Sequence, residues 1–583
     1  MLLTAMFVAS PAAHGQQVPA ASQASEAFAP DVIYHEGKVV TVNESFDIAE
    51  ALAIRDGRIV AVGTSGDVRA LASESTRLVN LEGRTVLPGF GDNHIHLGAE
   101  LQEWEGTLIS AVDDWIRGAD DMQELGEALR RRAAQVPEGE WIQGGLTRVH
   151  WPNQRVPTRW TLDEFVPNHP VALTRGPHTA VLNSRALEIV GITRDTPNPP
   201  GGWIIRDERG EPSGRVLEAA RRLVDPHLPA APQRSDEEIL ARYRDQLRQL
   251  RRLGLTHVDV AGVRPAQLRL VQELYERWGE ELPRMTAEIR MRPGWDEYDD
   301  PAEGARHSIQ ELEALGFHTG FGDERLKIGA IKMGADGGLS APVYWSTEPY
   351  AGRPDFHGEQ LIHEDALYQV GKRAHELGWQ LGIHTIGDAA TVMATDVVAR
   401  ILEESPRADH RHFLHHVFVK PPAETIRRMS ELGIGVASHP SWTTALGGYA
   451  AESLDGDRLE TQNPSRSLLD AGVWVSYGSD QLPYGPLFNI WNAVTRRGWD
   501  GQIYGPEEAV TVEEAIRLHT MGTAYQNFDE DVRGSLEIGK VADFVVLGED
   551  ILSVDSERIR EIPIDKTIIG GREVYAKAVN TVR

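Results

Sequence analysis

In PGFGDNHIHLG, Pro88 to Gly98, two histidines stand one residue apart, His94 and His96. On an extended strand residues i and i+2 project to the same side, so the pair can offer both imidazoles to one ion. Gly89 and Gly91 let the chain approach closely there without side-chain obstruction. By itself His-x-His is a weak signal in a chain with 21 histidines. Further on, Lys332 followed by Asp336, then His384, then the pair His415 and His416, and finally Asp480 each stand at or near the end of a short apolar run. Singly they have ordinary readings: Lys332 as an ion-pairing lysine, Asp480 after Gly478-Ser479 as a helix N-cap. Jointly they form a nitrogen and oxygen ligand set of the kind that suits Zn, Mn, Fe or Ni. The chain has no cysteine, so thiolate-bound metal, thiol catalysis and disulfides are excluded.

The elements that must carry these residues alternate strand and helix. Strand-like runs fall at 255–262, 284–291, 325–337, 379–388, 410–417, 434–440 and 473–480, and an eighth leads into His94 and His96. Helical patterns separate most of them. The helix from Ser235 opens with a capping box, Ser235 and Glu238, carries Ile239, Leu240, Tyr243, Leu247, Leu250 and Leu253 on one face, and stops at Gly254. Eight strands alternating with helices predict an α/β fold, a (β/α)8 TIM-like barrel, whose chemistry sits at the C-terminal ends of the strands. One interval, about 100–230, is too long for a crossover and reads as a subdomain inserted after the first barrel strand. It contains strand-like HPVALTR (169–175) and GGWIIRDERG (201–210).

Outside the barrel, assigned to 87–529, the segments 31–86 and 530–583 both consist of short β-runs with glycine turns. Neither set alone buries a sheet face, which predicts one β-sandwich split between the chain ends. Residues 1–15 hold a short apolar run, and Ala13-His14-Gly15 fits a signal-peptidase site ahead of Gln16, although no Lys or Arg precedes Leu2. This predicts a periplasmic or secreted protein, and a cytoplasmic one otherwise. Residues 16–30 read as a disordered linker. No other stretch has 18 consecutive apolar residues, so no membrane span is expected once the signal is cleaved. The formal net charge of −28 argues against nucleic acid as a partner.

The chain resembles the amidohydrolase superfamily of metal-dependent hydrolases, and within it the YtcJ-like, amidohydrolase-3 group that includes N-substituted formamide deformylases. The resemblance lies in LPGFGDNHIHL, IKMGADGGLSA, LGIHTIGDAA, RHFLHH, YGSDQLP, TVEEAIRLHT and GSLEIGKVADFVVL. Inside the insert it extends to RGPHTAVLNSRAL and GGWIIRDERGEPSGRVLEAA. It implies two divalent metal ions, zinc by expectation, with His94, His96 and Asp480 on one and His384 and His416 on the other. It also implies a CO2-derived carbamate on Lys332 that bridges them. The implied reaction is hydrolysis of a small-molecule amide-type C–N bond other than a peptide bond by metal-activated hydroxide, with Asp480 as general base and then acid. Related enzymes are often dimeric, which leaves a homodimer open.

Two positions depart from the family pattern. His415 stands where a Glu is usual, and His439-Pro440 where Gln-Pro is frequent. With His178 and Asp336 they are candidate substrate-binding residues, and His415 competes with His416 as the metal ligand. Trp104, Trp203 and Trp345 fall in segments near the predicted mouth, and Arg496 and Arg497 read as exposed helix arginines. The alternatives are an ester or lactone hydrolase, a mononuclear deaminase on the same fold, and an exported binding protein that has lost catalysis. A deaminase usually has a Glu in the turn after the strand-five histidine, whereas here that turn is Thr385-Ile386-Gly387-Asp388.

Overall fold

The computed structural model describes residues 29–578 apart from 120, 147–155, 231–232, 340–341 and 452. The leader expected over 1–15 and nearly all of the expected linker lie outside the described residues. Eight parallel strands form one sheet in chain order: β1 (Phe90–Ile95), β2 (Leu255–Val263), β3 (Arg284–Arg290), β4 (Leu326–Gly334), β5 (Leu381–Thr385), β6 (Phe413–His416), β7 (Gly435–Ser438) and β8 (Val475–Tyr477). Each pairs in parallel with the next. This is the α/β barrel that the eight apolar runs predict. Such strands are buried on both faces and read as near-continuous apolar runs.

The seam between β8 and β1 is bridged largely by side chains. Asn93 Nδ2 donates to Ser476 Oγ at 2.7 Å, and the Ser479 N–H donates to Asp92 Oδ1 at 2.9 Å. The Asp480 N–H donates to the His94 carbonyl at 2.9 Å. Gly478 permits the close approach, since a Cβ there would lie 2.1 Å from Asn93 Oδ1.

The helix before β2, Asp236–Leu250, has both halves of its capping box in place and buries Leu240, Tyr243, Leu247 and Leu250 against the barrel. A fully buried leucine contributes on the order of 2 kcal/mol, so this face anchors the helix firmly. Gly254 ends the turn at φ 82°, a left-handed conformation that suits glycine.

Two further sheets lie beside the barrel. One is four-stranded, 58–63, 51–55, 32–35 and 77–80. The other is six-stranded and takes strands from both ends of the chain, in the order 572–576, 564–569, 544–547, 85–88, 38–40 and 48–49. Thr85–Pro88 pairs antiparallel with Phe544–Leu547. Tyr34, Leu52, Ile54, Val86, Phe544 and Ile568 share one apolar core between them. The insert contributes a five-stranded sheet, 142–145, 171–175, 179–182, 212–218 and 202–206. Among the described residues no helix is long and apolar enough to cross a membrane.

The terminal sheet is clamped to the barrel by Arg284 at the start of β3. Its Nε and Nη2 reach Asp543 at 2.6 and 3.1 Å, and both side chains are buried. Asp543 Oδ1 also accepts the Gly570 N–H at 2.7 Å. Asp543→Ala strands a buried guanidinium, and the expected loss is about 3–5 kcal/mol of unfolding free energy, read by chemical denaturation. A loss under about 1 kcal/mol contradicts a clamping role.

Arg496 departs from its expected exposure. It is 1% exposed and donates to the carbonyls of Tyr504 at 3.0 Å, Asn463 at 3.1 Å and Gln462 at 2.5 Å. Its φ of 55° ends the helix Pro486–Thr495 and turns the side chain inward. Arg497 instead pairs with Glu557 at 2.6 Å on the surface.

Candidate active site

The strand ends converge on one cluster. Lys332 Nζ on β4 lies 3.2 Å from His94 Nε2 at the end of β1. Asp480, just past β8, places Oδ1 3.3 Å from His96 Nε2 and 3.8 Å from His94 Nε2. The carbonyl of His96 accepts from Gln246 Nε2 at 2.8 Å and from Gln481 Nε2 at 2.9 Å. Gln246 also accepts the Gly98 N–H at 2.7 Å, so the capped helix before β2 fixes the backbone just beyond the His-x-His pair.

Around this core stand further imidazoles. The His384 and His416 ring centroids are 4.5 Å apart, those of His94 and His416 5.0 Å, and those of His416 and His439 4.8 Å. Trp442 stacks on His416 at 4.8 Å with 17° between planes. Two groups bring their ligand atoms within 4.8 Å of one another: His94, His96 and Asp480, and His94, His416 and His439. Burial, with the Lys332 charge next, holds His94 and His384 well below the usual imidazole range. For His416 burial acts first and the neighbouring His384 next, and burial pushes His439 down to about 3. These rings are therefore neutral and keep a lone pair for a cation.

Acidic side chains that the sequence reading did not single out hold this cluster in place. Asp92, two residues before His94, accepts the His94 N–H at 3.1 Å, the Ser479 N–H at 2.9 Å and the Ser479 hydroxyl at 2.6 Å. It ties the His-x-His strand to the turn that carries Asp480. Glu288 on β3 faces His415 Nε2 at 3.1 Å and lies within reach of the Lys332 charge. Burial raises its carboxyl to about 8 and lowers the Lys332 amine to about 7. Asp92 was detectable in principle, since it shares the strand face of His94 at spacing two.

A cavity of about 760 Å³ opens over the cluster. His94, His96, Lys332, His384, His416 and Asp480 all line it, together with His178 and Asp336. Of the four substrate-binding candidates, His178 and Asp336 border the cavity, and His415 and His439 do not. His415 does not line the cavity; its ring faces Glu288, so it supports the cluster from behind, and His416 presents itself in the cavity instead. Asp336 borders the cavity but accepts from the backbone N–H groups of Ile386 at 2.9 Å, Gly387 at 2.7 Å and Trp345 at 3.0 Å. Its carboxylate shapes the turn after His384 and lies 3.5 Å from His384 Nε2. Burial raises its carboxyl while the three N–H groups lower it. His439 lies against His94 and His416 rather than on the cavity wall, with the Gly478 backbone beside its ring. His178 points Nδ1 at Glu218 Oε1, 2.9 Å away, and Glu218 Oε1 in turn accepts the Gly338 N–H at 2.8 Å.

Trp104 packs on Trp499 and Phe488, and Trp203 on Phe356. The indole on the cavity wall is Trp442, which the sequence reading passed over. In the turn after His384, Asp388 accepts the Thr347 N–H at 3.1 Å and does not line the cavity.

The donor set fits divalent cations. His384 Nε2 and His416 Nδ1 are buried without hydrogen-bond partners among the described residues, a costly state for polar atoms that a cation relieves.

A family model described as the amidohydrolase family matches residues 77–575. An N-substituted formamide deformylase of Arthrobacter pascens is 30% identical over 558 residues, which cover 93% of this chain and 97% of that protein. Among solved structures, an uncharacterized metal-dependent hydrolase from Pyrococcus horikoshii OT3 superposes with a TM-score of 0.64 at 22% identity, over 90% of this chain and 99% of that one. A second, from Pyrococcus furiosus, gives 0.62 at 24% identity, over 90% and 100%. At those identities the structural likeness speaks for the fold alone.

Proposed function

Because the chain belongs to the amidohydrolase family, hydrolases of carbon–nitrogen bonds other than peptide bonds, we propose that it cleaves an amide-type bond in a small molecule at the His94–Lys332–Asp480 cluster. The observation that carries this reading is the meeting of Lys332 Nζ with His94 Nε2 at 3.2 Å, beneath a cavity lined by every histidine and carboxylate of the implied ligand set. His94, His96 and Asp480 would hold one divalent ion and His384 and His416 the other, with zinc as the metal. His439 stands close enough to His94 and His416 to join them. Lys332, as a carbamate, would face both ions. A divalent pair bound there supplies a water acidic enough to ionise at neutral pH and a Lewis acid for the scissile carbonyl.

The remaining work falls to the chain's own groups. Asp480 accepts a proton from the attacking water and returns it to the departing nitrogen, as general base then acid. The turn that carries it is held by Asp92 through Ser479, and the Asp480 N–H is held by the His94 carbonyl. Asp336 fixes the backbone after His384, so that imidazole is held from its own strand end. Trp442, Leu446, Leu339 and Ile386 give the cavity an apolar wall that excludes water from part of the substrate.

Metal analysis with an activity screen tests this. The purified protein is expected to carry about two ions per chain. The zinc-loaded form is expected to turn over at least one of N-formyl compounds, N-acyl amines and N-acyl amino acids faster than aryl esters. Chelation abolishes turnover and zinc restores it. A protein that holds no metal and gains no activity with added zinc sinks the reading.

A further inference from the structure

The cavity rim carries five arginines, Arg221, Arg222, Arg264, Arg290 and Arg292, in a protein whose formal net charge is −28. Three of them are occupied. Arg221 donates to the Pro177 carbonyl at 2.7 Å and reaches Asp225 at 3.3 Å. Arg222 donates to Asp299 at 2.9 Å and to the Trp295 carbonyl at 3.1 Å. Arg292 donates to Glu297 at 3.0 Å, with Asp296 at 3.9 Å. Arg264 is exposed to solvent. Arg290 differs from all four: it is half-buried, and among the described residues no hydrogen bond or ion pair engages its guanidinium. Burial depresses it to about 10, with Arg292 adding to the effect, so it remains charged at neutral pH. A half-buried, unpaired guanidinium is costly. Asp296 and Glu297 act on it only from beyond ion-pair distance, and both are closer to Arg292.

Its placement is specific. Arg290 ends β3 directly opposite Lys332 on β4, and the next N–H, of Met291, donates to the Lys332 carbonyl at 2.9 Å. Neighbouring strands lie about 4.8 Å apart, so its stem rises beside that of Lys332. Glu288, two residues earlier on the same strand face, is engaged below with His415. Room for the stem comes from Gly262 on β2, at φ 113°, where a Cβ would lie 3.1 Å from Arg290 Cδ and 3.4 Å from its Cβ. An anion held by this guanidinium therefore sits at the cavity wall beside the Lys332 cluster, in a cavity that Leu339, Leu446 and Trp442 also line.

We propose that Arg290 anchors a substrate carboxylate, and that the substrates are amides with a carboxylate next to the scissile bond, the N-acyl amino acids. The substrate class rests on the hydrolase reading above, whereas the anion site does not. A single planar guanidinium, with Arg221, Arg222 and Arg292 already paired and Arg264 out in solvent, matches the single charge and two oxygens of a carboxylate; a phosphate group calls for more donors.

The test compares two amides that differ only in the carboxylate, N-acetylphenylalanine (both enantiomers) and N-acetyl-2-phenylethylamine, on the zinc-loaded wild type, Arg290→Lys and Arg290→Met. Calorimetric binding of N-acetylphenylalanine is read alongside turnover. The wild type is expected to favour the better enantiomer over the neutral amide by about 10²-fold in kcat/KM. Arg290→Met should lose about 10² on the acid, mostly through KM, and stay within about threefold on the neutral amide, with metal content unchanged. Arg290→Lys, which keeps the charge without the fork, should fall between them. Equal losses on both amides, or loss of metal, would mean that Arg290 serves Lys332 instead and would overturn the proposal. Wild-type indifference to the carboxylate overturns it as well. Arg290-dependent binding with no turnover of either amide leaves the anion site standing and refutes the hydrolase reading. Turnover of the neutral amide without Arg290-dependent binding does the reverse.

Discussion

Replacing Lys332 with alanine is expected to empty at least one metal position and to lower kcat/KM by about 10³-fold or more, roughly 4 kcal/mol of transition-state stabilisation. Lys332 is 5% exposed, and its amine lies against His94 with Glu288 within reach of its charge. Burial brings the amine down to about 7, whereas Glu288 and Asp480 pull it up less strongly. At neutral pH a large fraction of it is therefore uncharged, and an uncharged buried amine can add CO2, forming an N–C bond as it releases a proton. The product is an anion placed among neutral imidazoles, which is what two cations require nearby. Alanine has no amine on which the proposed anion could form. Among the described residues it removes no side-chain hydrogen bond other than the one to His94, so thermal unfolding should change far less than metal content. Metal analysis on the variant decides the matter, and retention of both ions with full turnover would take Lys332 out of the machinery.

Asp480→Asn is the second large effect, a fall in kcat of about 10³-fold with KM nearly unchanged, within the range for loss of a positioned general base. The backbone argues that asparagine leaves the turn intact. Asp480 has φ 43° and Gln481 φ 66°, a left-handed pair in which asparagine is at ease and bulkier residues are not. The amide keeps the shape of the carboxylate beside His96 but carries neither the charge to hold a cation nor the basicity to accept a proton. A variant with more than about a tenth of wild-type kcat would exclude Asp480 as the proton carrier.

The barrel is legible in the sequence for a physical reason. Each of its strands is buried on both faces and so reads as a brief apolar run, and β1, β4, β5, β6 and β8 each end at or beside a residue that no apolar core would retain without cause: His94, Lys332, His384, His416 and Asp480. The helix from Ser235 is equally plain, because its cap and its apolar stripe agree. Less legible are groups that act through contacts distant in sequence. Glu288 in RMTAEIRM looks like the polar partner in an ordinary alternating strand, and its bond to His415 spans 127 positions. Arg496 looks like a surface residue until the left-handed turn carries it inward to three carbonyls. His415 and His416 share one sequence signature, and only the chain's path, with φ 75° at His416, sends one ring to the cavity and the other to Glu288. Trp442 is one of 14 tryptophans, and nothing in its local pattern marks it as the one stacked on His416.

The pairing of Thr85–Pro88 with Phe544–Leu547 has a consequence for how the chain is made. While a ribosome is still adding the barrel, Thr85–Pro88 has no partner on that side, and its open edge can recruit another nascent chain. The contact that closes it is among the most remote in sequence, so it forms late and slowly. Barrel and insert must hold their shape through that wait, and a protein shortened by its last few dozen residues would leave the first sheet permanently unfinished.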